Sequence, residues 1–224
     1  MGFDFQHLLE LIPDINTAFL QTIYMIIISL VIAIVIGLPV GILLYVTDKG
    51  LFLQNRAVQV CMGFIVNLIR SIPFIILLVA LIPLTNFLVG TTIGPTAASV
   101  SLSVASIPFF ARIVETALRE IDKGVIEAAI AAGATPWMII KDVLLLEASS
   151  GIISGITLTL ISLIGFSAMA GTVGGGGIGD LAIRFGYYRY DNTIMIATVV
   201  ILIILVQFVQ LLGDFIAKAV DKRK

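Results

Sequence analysis

Few residues of this 224-residue chain are equipped for chemistry, and most of the charged ones stand together. Arg119, Glu120, Asp122, Lys123, Glu127, Lys141, Asp142 and Glu147 crowd the stretch 118–148 of a protein that is only 12% charged. His7 is the single histidine and Cys61 the single cysteine, so neither a disulfide framework nor a Cys-based metal site is expected. With no carboxylate pair read at depth in the apolar segments, no acid–base or nucleophilic constellation is expected either. The chain is therefore not expected to be an enzyme, and no catalytic, cofactor-binding or metal-ligating residue is assigned. Gly174, Gly176 and Gly179 satisfy G-x-G-x-x-G, but a dinucleotide site needs a strand before the first glycine. Here the glycines follow a long apolar run, and that reading is rejected. No G-x-x-x-x-G-K-[ST] occurs, so any ATP is hydrolysed by another polypeptide.

What the charged stretch can do is mechanical. About thirty mostly helix-forming residues between two membrane-length runs cannot lie in hydrocarbon, and their pattern is too regular for a slack linker. Asp122 suits the N-cap of a first short helix containing Glu127, Ala128 and Ala129. Gly133 suits a left-handed stop, and Thr135 with Pro136 can restart a second helix as cap and first residue. The expectation is a helix–Gly–helix elbow over 119–147, standing out of the membrane.

The elements that position this elbow follow from composition. Mean hydropathy of +1.15 and 59% hydrophobic residues lie far outside the soluble range. The expected fold class is an all-α membrane protein of one domain over residues 1–224. Five transmembrane helices are expected, near 17–46, 57–84, 96–117, 149–172 and 192–216. Residues 1–16 are amphipathic and acidic and are placed at the interface. Gly37 and Gly41, flanking Pro39, offer a close-packing or kink site. A second span begun after Arg70 would hold only about 13 residues before Pro83, roughly 20 Å of helix, too short for a ~30 Å core. Its helix is therefore expected to run on through Asn67 and Arg70, with a turn over 85–95 behind it. Ser99, Ser101, Ser103 and Ser106 mark the third span as one buried among other helices.

Basic residues set the orientation. Lys49, Arg56, Arg112, Arg119, Lys123, Lys141, Lys218, Lys222, Arg223 and Lys224 fall on one side, Arg184 and Arg189 on the other. The positive-inside rule then places the N-terminus outside and the elbow and tail in the cytoplasm. A net charge of −1 gives no reason to expect a nucleic-acid partner.

Glu127-Ala128-Ala129, three further residues, Gly133, and nine more to Val143 resemble the EAA loop of ABC importer membrane subunits. Leu146 stands where that loop usually has proline. Phe166-Ser167-Ala168-Met169-Ala170-Gly171 with the glycine run behind it, the stretch 73–79, and Gly133-Ala134-Thr135-Pro136 resemble the methionine-importer permeases over nearly the whole chain. Ser150 departs from the proline usual there. The resemblance implies a multi-pass permease subunit in the cell (inner) membrane that pairs with a second copy of itself. It implies two cytoplasmic ABC ATPase subunits gripping the elbows, a substrate-binding protein outside, and methionine as substrate. ATP is then used by the partner, and no cofactor is bound by this chain. Glu127, Ala128, Ala129, Gly133 and Trp137 are implied as the ATPase-coupling residues, although Trp137 equally suits a membrane-interface anchor.

The resemblance further implies Phe166 and Met169 as gate residues, with packing as the alternative. Asn67, Arg70 and Pro73 resemble the second span of amino-acid permeases, with a structural role inside the membrane, or snorkelling, for the arginine. A proton-coupled secondary carrier is the competing function. It would want acidic or histidine groups at mid-depth, where the reading finds only Arg70.

Overall fold

The computed structural model describes residues 5–220, so the basic tail beyond Val220 lies outside the described residues. In chain order the helices are α1 (Phe5–Glu10), α2 (Ile12–Val46), α3 (Arg56–Arg70), α4 (Phe74–Ala80), α5 (Ile82–Val89) and α6 (Pro95–Arg119). The elbow holds α7 (Lys123–Ala131), α8 (Pro136–Met138), a π-helical segment Ile139–Leu144 and α9 (Leu145–Glu147). Then come α10 (Ser149–Gly171), α11 (Gly177–Leu181), a second π-helical segment Ala182–Tyr187, and α12 (Asn192–Val220). No strand occurs among the described residues. Helices α2, α6, α10 and α12 are each long and apolar enough to cross a bilayer, and α3 with α4 makes a fifth crossing if the bent pair counts as one.

The five crossings agree with the sequence expectation, but the second is not one helix. α3 and α4 meet at 101° across Ser71, Ile72 and Pro73. Pro73 has no N–H to give the preceding turn, and its ring pushes Ile72 out of the helical region. The chain leaves α3 through Ser71, whose N–H and hydroxyl both donate to the Asn67 carbonyl, at 3.0 and 2.8 Å. The expected turn over 85–95 is also shorter, since α5 runs through Val89 and stops at Gly90 with φ +73°.

α6 is the central helix. Of its most apolar stretch 61% is buried, against 11% for α12, as its serine-rich composition predicts. Its main partner is α2, and small residues let the two backbones meet. A Cβ on Gly37 would stand 2.9 Å from the Ile107 carbonyl, and one on Gly41 only 2.5 Å from that of Ala111. Polar contacts join the same faces: the Ser29 hydroxyl donates to the Ser99 carbonyl at 3.2 Å, and that of Ser106 to the Ser29 carbonyl at 3.4 Å. α2 is about 52 Å long at 1.5 Å per residue, so it outruns the hydrocarbon core and has to tilt or project.

One charged cluster ties this framework together where α6 ends. Glu115 is only 2% exposed. Its carboxylate accepts from Arg112 at 2.6 Å and from Arg119 at 2.8 and 3.1 Å. Arg112 also donates to the Asn67 side-chain oxygen on α3 at 2.6 Å, and Arg119 pairs with Asp48 in the α2–α3 loop at 2.7 Å. The expectation that Arg70 is the only charge at depth is thus corrected. The spacing R-x-x-E-x-x-x-R puts all three α6 side chains on one face, a signal present in the sequence but not used.

Two outcomes follow for purified protein in detergent. Glu115→Gln should lower unfolding stability by about 1–3 kcal/mol through lost charge-assisted hydrogen bonds. Replacing Arg112 and Arg119 together by Met should cost about 3–5 kcal/mol, because a buried carboxylate is left uncompensated. Denaturant midpoints that put the single change below the double would contradict this ordering. The second outcome concerns pH. The Lys49 N–H at 2.7 Å, and behind it the Arg119 guanidinium, hold the Asp48 carboxyl below the usual carboxylate range. A depressed folded-state pKa contributes stability that is fully present above the unfolded value of ~3.9 and fades as pH falls through the folded value. The stability difference between wild type and Asp48→Asn should therefore be equal at pH 5.5 and pH 8 and shrink only in stronger acid.

Candidate functional site

The elbow is built as its residues dictate. Asp122 caps α7, its carboxylate accepting from the Gly124 N–H at 2.7 Å. After α7 the chain turns at Gly133 in the left-handed region, φ +79°, where L-residues with a Cβ are penalised. Thr135 caps the second helix through its hydroxyl, which accepts from the Met138 N–H at 3.4 Å, and Pro136 occupies the first turn. That helix continues through the π-helical segment to Glu147. Only Ala148, at φ −84° and ψ 0°, separates it from α10, where Leu146 takes the place of the usual proline inside the last helical turn.

The elbow has two unlike faces. Inward, Ile126, Ile139 and Leu144 are fully buried against Tyr45 and Val46 of α2 and against Val114, Ala117 and Leu118 of α6. Each such side chain contributes roughly 1.5–3 kcal/mol of burial, enough to make the elbow one body with the adjoining ends of those helices. Outward, Glu127, Ala128, Val125, Ile130 and Met138 are exposed, and Trp137 is 70% exposed. Ala129 is half-buried between the faces. Glu127 makes no hydrogen bond or ion pair with any described residue, and a Cβ on Gly133 would meet open space. Apolar side chains, a carboxylate and a glycine form a surface that none of the described residues covers. Such patches on otherwise charged ground mark interaction sites.

The glycine run lies at the other end of α2. Gln21 and Thr22, near the start of α2, accept from the Gly177 and Ile178 N–H groups, both at 2.9 Å. Tyr45 and Val46, against the elbow, lie about 35 Å along the same helix. The run serves packing: a Cβ on Gly171 would fall 2.2 Å from the Asp180 nitrogen, and one on Gly179 2.4 Å from Ala168 Cα. Arg184 pairs with the nearly buried Asp180, its Nε donating at 2.7 Å. The Gln21 and Thr22 caps carry no local sequence signal, because the residues they hold are 156 positions away.

The remaining candidates are dispersed along the bundle. Met169, 49% exposed, sits near the α10 end that meets the glycine run, while Phe166 one turn earlier stacks on Phe74 with ring centroids 4.6 Å apart. Asn67 ties α3 to α6 through Arg112, and Pro73 marks the bend. Arg70, the last residue of α3, makes no hydrogen bond or ion pair with a described residue, so the expected structural tie is Asn67's instead. His7 lies in α1, and only its side chain lies outside what is described.

One local outcome tests the elbow. Gly133→Ala should cost roughly 1–2 kcal/mol at the turn. Amide exchange should quicken across 123–138 while protection of α2 and α6 holds; unchanged exchange there would mean that the turn tolerates a Cβ.

Comparison with known proteins agrees with this architecture. The family described as binding-protein-dependent transport system inner membrane component matches residues 33–224. The probable D-methionine transport system permease protein MetI of Vibrio cholerae is 50% identical over 207 residues, 92% of each chain. The methionine import system permease protein MetP of Bacillus subtilis is 48% identical over 181 residues, covering 81% of this chain and 82% of that one. A structure of the MetNI methionine ABC transporter in an inward-facing conformation superposes with a TM-score of 0.93 at 47% identity, over 95% of this chain and 99% of the other. The chain belongs to the binding-protein-dependent transport system inner membrane components.

Proposed function

We propose that this chain is the membrane-spanning permease of an ATP-driven methionine importer, and that its elbow receives the work of a separate ATPase. The observation that carries the reading is the elbow itself, buried on one face into the ends of α2 and α6 and uncovered on the other. The relatives named for D-methionine and methionine transport support the substrate. Two copies of the permease would frame the pathway between them, since five crossings enclose little alone, and a two-fold pair presents two elbows to two ATPase subunits. A binding protein delivers substrate at the outer face, beside the glycine run and the exposed Tyr187, Tyr188 and Tyr190. The N-terminus is then outside and α12 ends in the cytoplasm. ATP is bound and hydrolysed by the partner, and this chain supplies no catalytic group.

The geometry supports the following sequence of steps. An ATPase groove takes Trp137, Met138 and Ile130 as buried apolar anchors, with Glu127 as the charged hydrogen-bond acceptor. When ATP draws the two ATPases together the elbows turn, and the buried isoleucines and leucine carry α2 and α6 with them. Phe166 and Met169 close the pathway at its outer end, a ring and a flexible thioether forming an apolar constriction. A proton-driven carrier gains no support from the buried Glu115, whose carboxylate is already held by two guanidinium groups.

Expression with the cognate ATPase subunit and reconstitution into liposomes test this. Wild type should co-purify with the ATPase and accumulate methionine only with ATP inside. Glu127→Ala with Trp137→Ala should weaken co-purification by about tenfold or more, since truncating a buried aromatic anchor typically costs over 2 kcal/mol. Uptake driven by a proton gradient without ATP overturns the reading.

A further inference from the structure

Midway along α6 a cavity of about 270 Å3 opens between α3, α4, α6 and α10, close to the ~300 Å3 lower end of small-molecule pockets. Its walls are apolar and aromatic: Phe74 and Leu77 of α4, Ala105 and Phe109 of α6, and Phe166 of α10. The stacked rings of Phe74 and Phe166 form one side. The one charged group lining it is Arg70, at the bend where the second crossing breaks.

A cation at the break of a membrane-crossing segment is costly unless something neutralises it, and among the described residues nothing does. Arg112, the neighbouring guanidinium, is fully engaged by Glu115 and Asn67. Asn67, one turn before Arg70 on α3, is spent on Arg112 as well. Arg70 is left as a planar fork of donors facing an aromatic hollow beside a helix break. Broken helices near mid-membrane are where transport sites are commonly built, because the freed geometry lines a cavity.

Resting on the importer reading above, we infer that this cavity is a transient substrate site inside the membrane domain. Arg70 receives the α-carboxylate of the amino acid in a two-point hydrogen bond. The side chain lies against Phe74, Phe109 and Phe166. A thioether suits that lining, since sulfur packs favourably at about 5 Å from aromatic rings. The selectivity assigned here is for a small carboxylate with an apolar or thioether tail.

The test uses the assembled permease–ATPase complex in nanodiscs and photo-methionine, a diazirine amino acid with the same carboxylate. On illumination it should label peptides carrying Phe74, Phe109 or Phe166, and methionine should compete. The amine 3-(methylthio)propylamine, which lacks the carboxylate, should not compete. Arg70→Met should reduce this labelling by about ten- to a hundredfold, the worth of a hydrogen bond to a charged group, and Arg70→Lys should restore part of it. If Arg70→Met does not assemble, the ligand comparison on wild type decides alone. Equal competition by the amine, preferential competition by octanoate, undiminished labelling of an assembled Arg70→Met complex, or no labelling of these peptides by a wild type that takes up methionine overturns the inference. Wild type that takes up no methionine with ATP overturns the importer reading, and this inference with it.

Discussion

The half of this protein that carries the elbow depends on a buried carboxylate. Glu115 sits almost without solvent on the most enclosed helix, and an isolated charge there would be prohibitively expensive. The structure meets that cost with two arginines, each with a second partner elsewhere. A line of polar contacts runs from Asn67 on α3 through Arg112, Glu115 and Arg119 to Asp48 in the α2–α3 loop. Two cations and two anions cancel along it. α3, α6 and the α2–α3 loop are therefore held in one relative position at the root of the elbow, and any force applied there reaches three segments together.

The elbow gains its mechanical meaning from that rigidity. Its inner face is continuous with the core through Ile126, Ile139 and Leu144, and close glycine contacts join α2 to α6 over much of their length. Packed cores resist gradual deformation, so a push on the elbow is passed on as rigid movement of helices. At the other end of α2, Gln21 and Thr22 hold the glycine run by its backbone N–H groups. The same helix thus touches the elbow at one end and the glycine run at the other. The break at Ser71–Pro73 lies beside an aromatic cavity and an arginine that has no partner among the described residues.

Much of this was legible in the chain. The elbow could be read residue by residue because its signals are local: Asp122, Gly133, Thr135 and Pro136 each act on backbone within a few positions. The serine-rich third crossing announced its central place for a similar reason, since small polar side chains are poor lipid-facing residues. The second crossing misled because a length argument, sound for a straight helix, took no account of Pro73 at a bend. Glu115 passed unnoticed because a helical charge triad reads as a solvated face until the neighbours that bury it are known.

By itself, the sequence determined that the chain crosses a membrane, roughly where, and how the elbow turns. These follow from hydropathy, capping and glycine conformation, all short-range or additive properties of the chain. Only the tertiary structure decided that Glu115 is enclosed, that Arg112 pairs with Asn67 45 positions away while Arg70 is left alone, and that Gln21 and Thr22 cap a loop 156 residues downstream. Such pairings depend on which helix faces meet, and that is set by packing of the whole bundle rather than by any one segment.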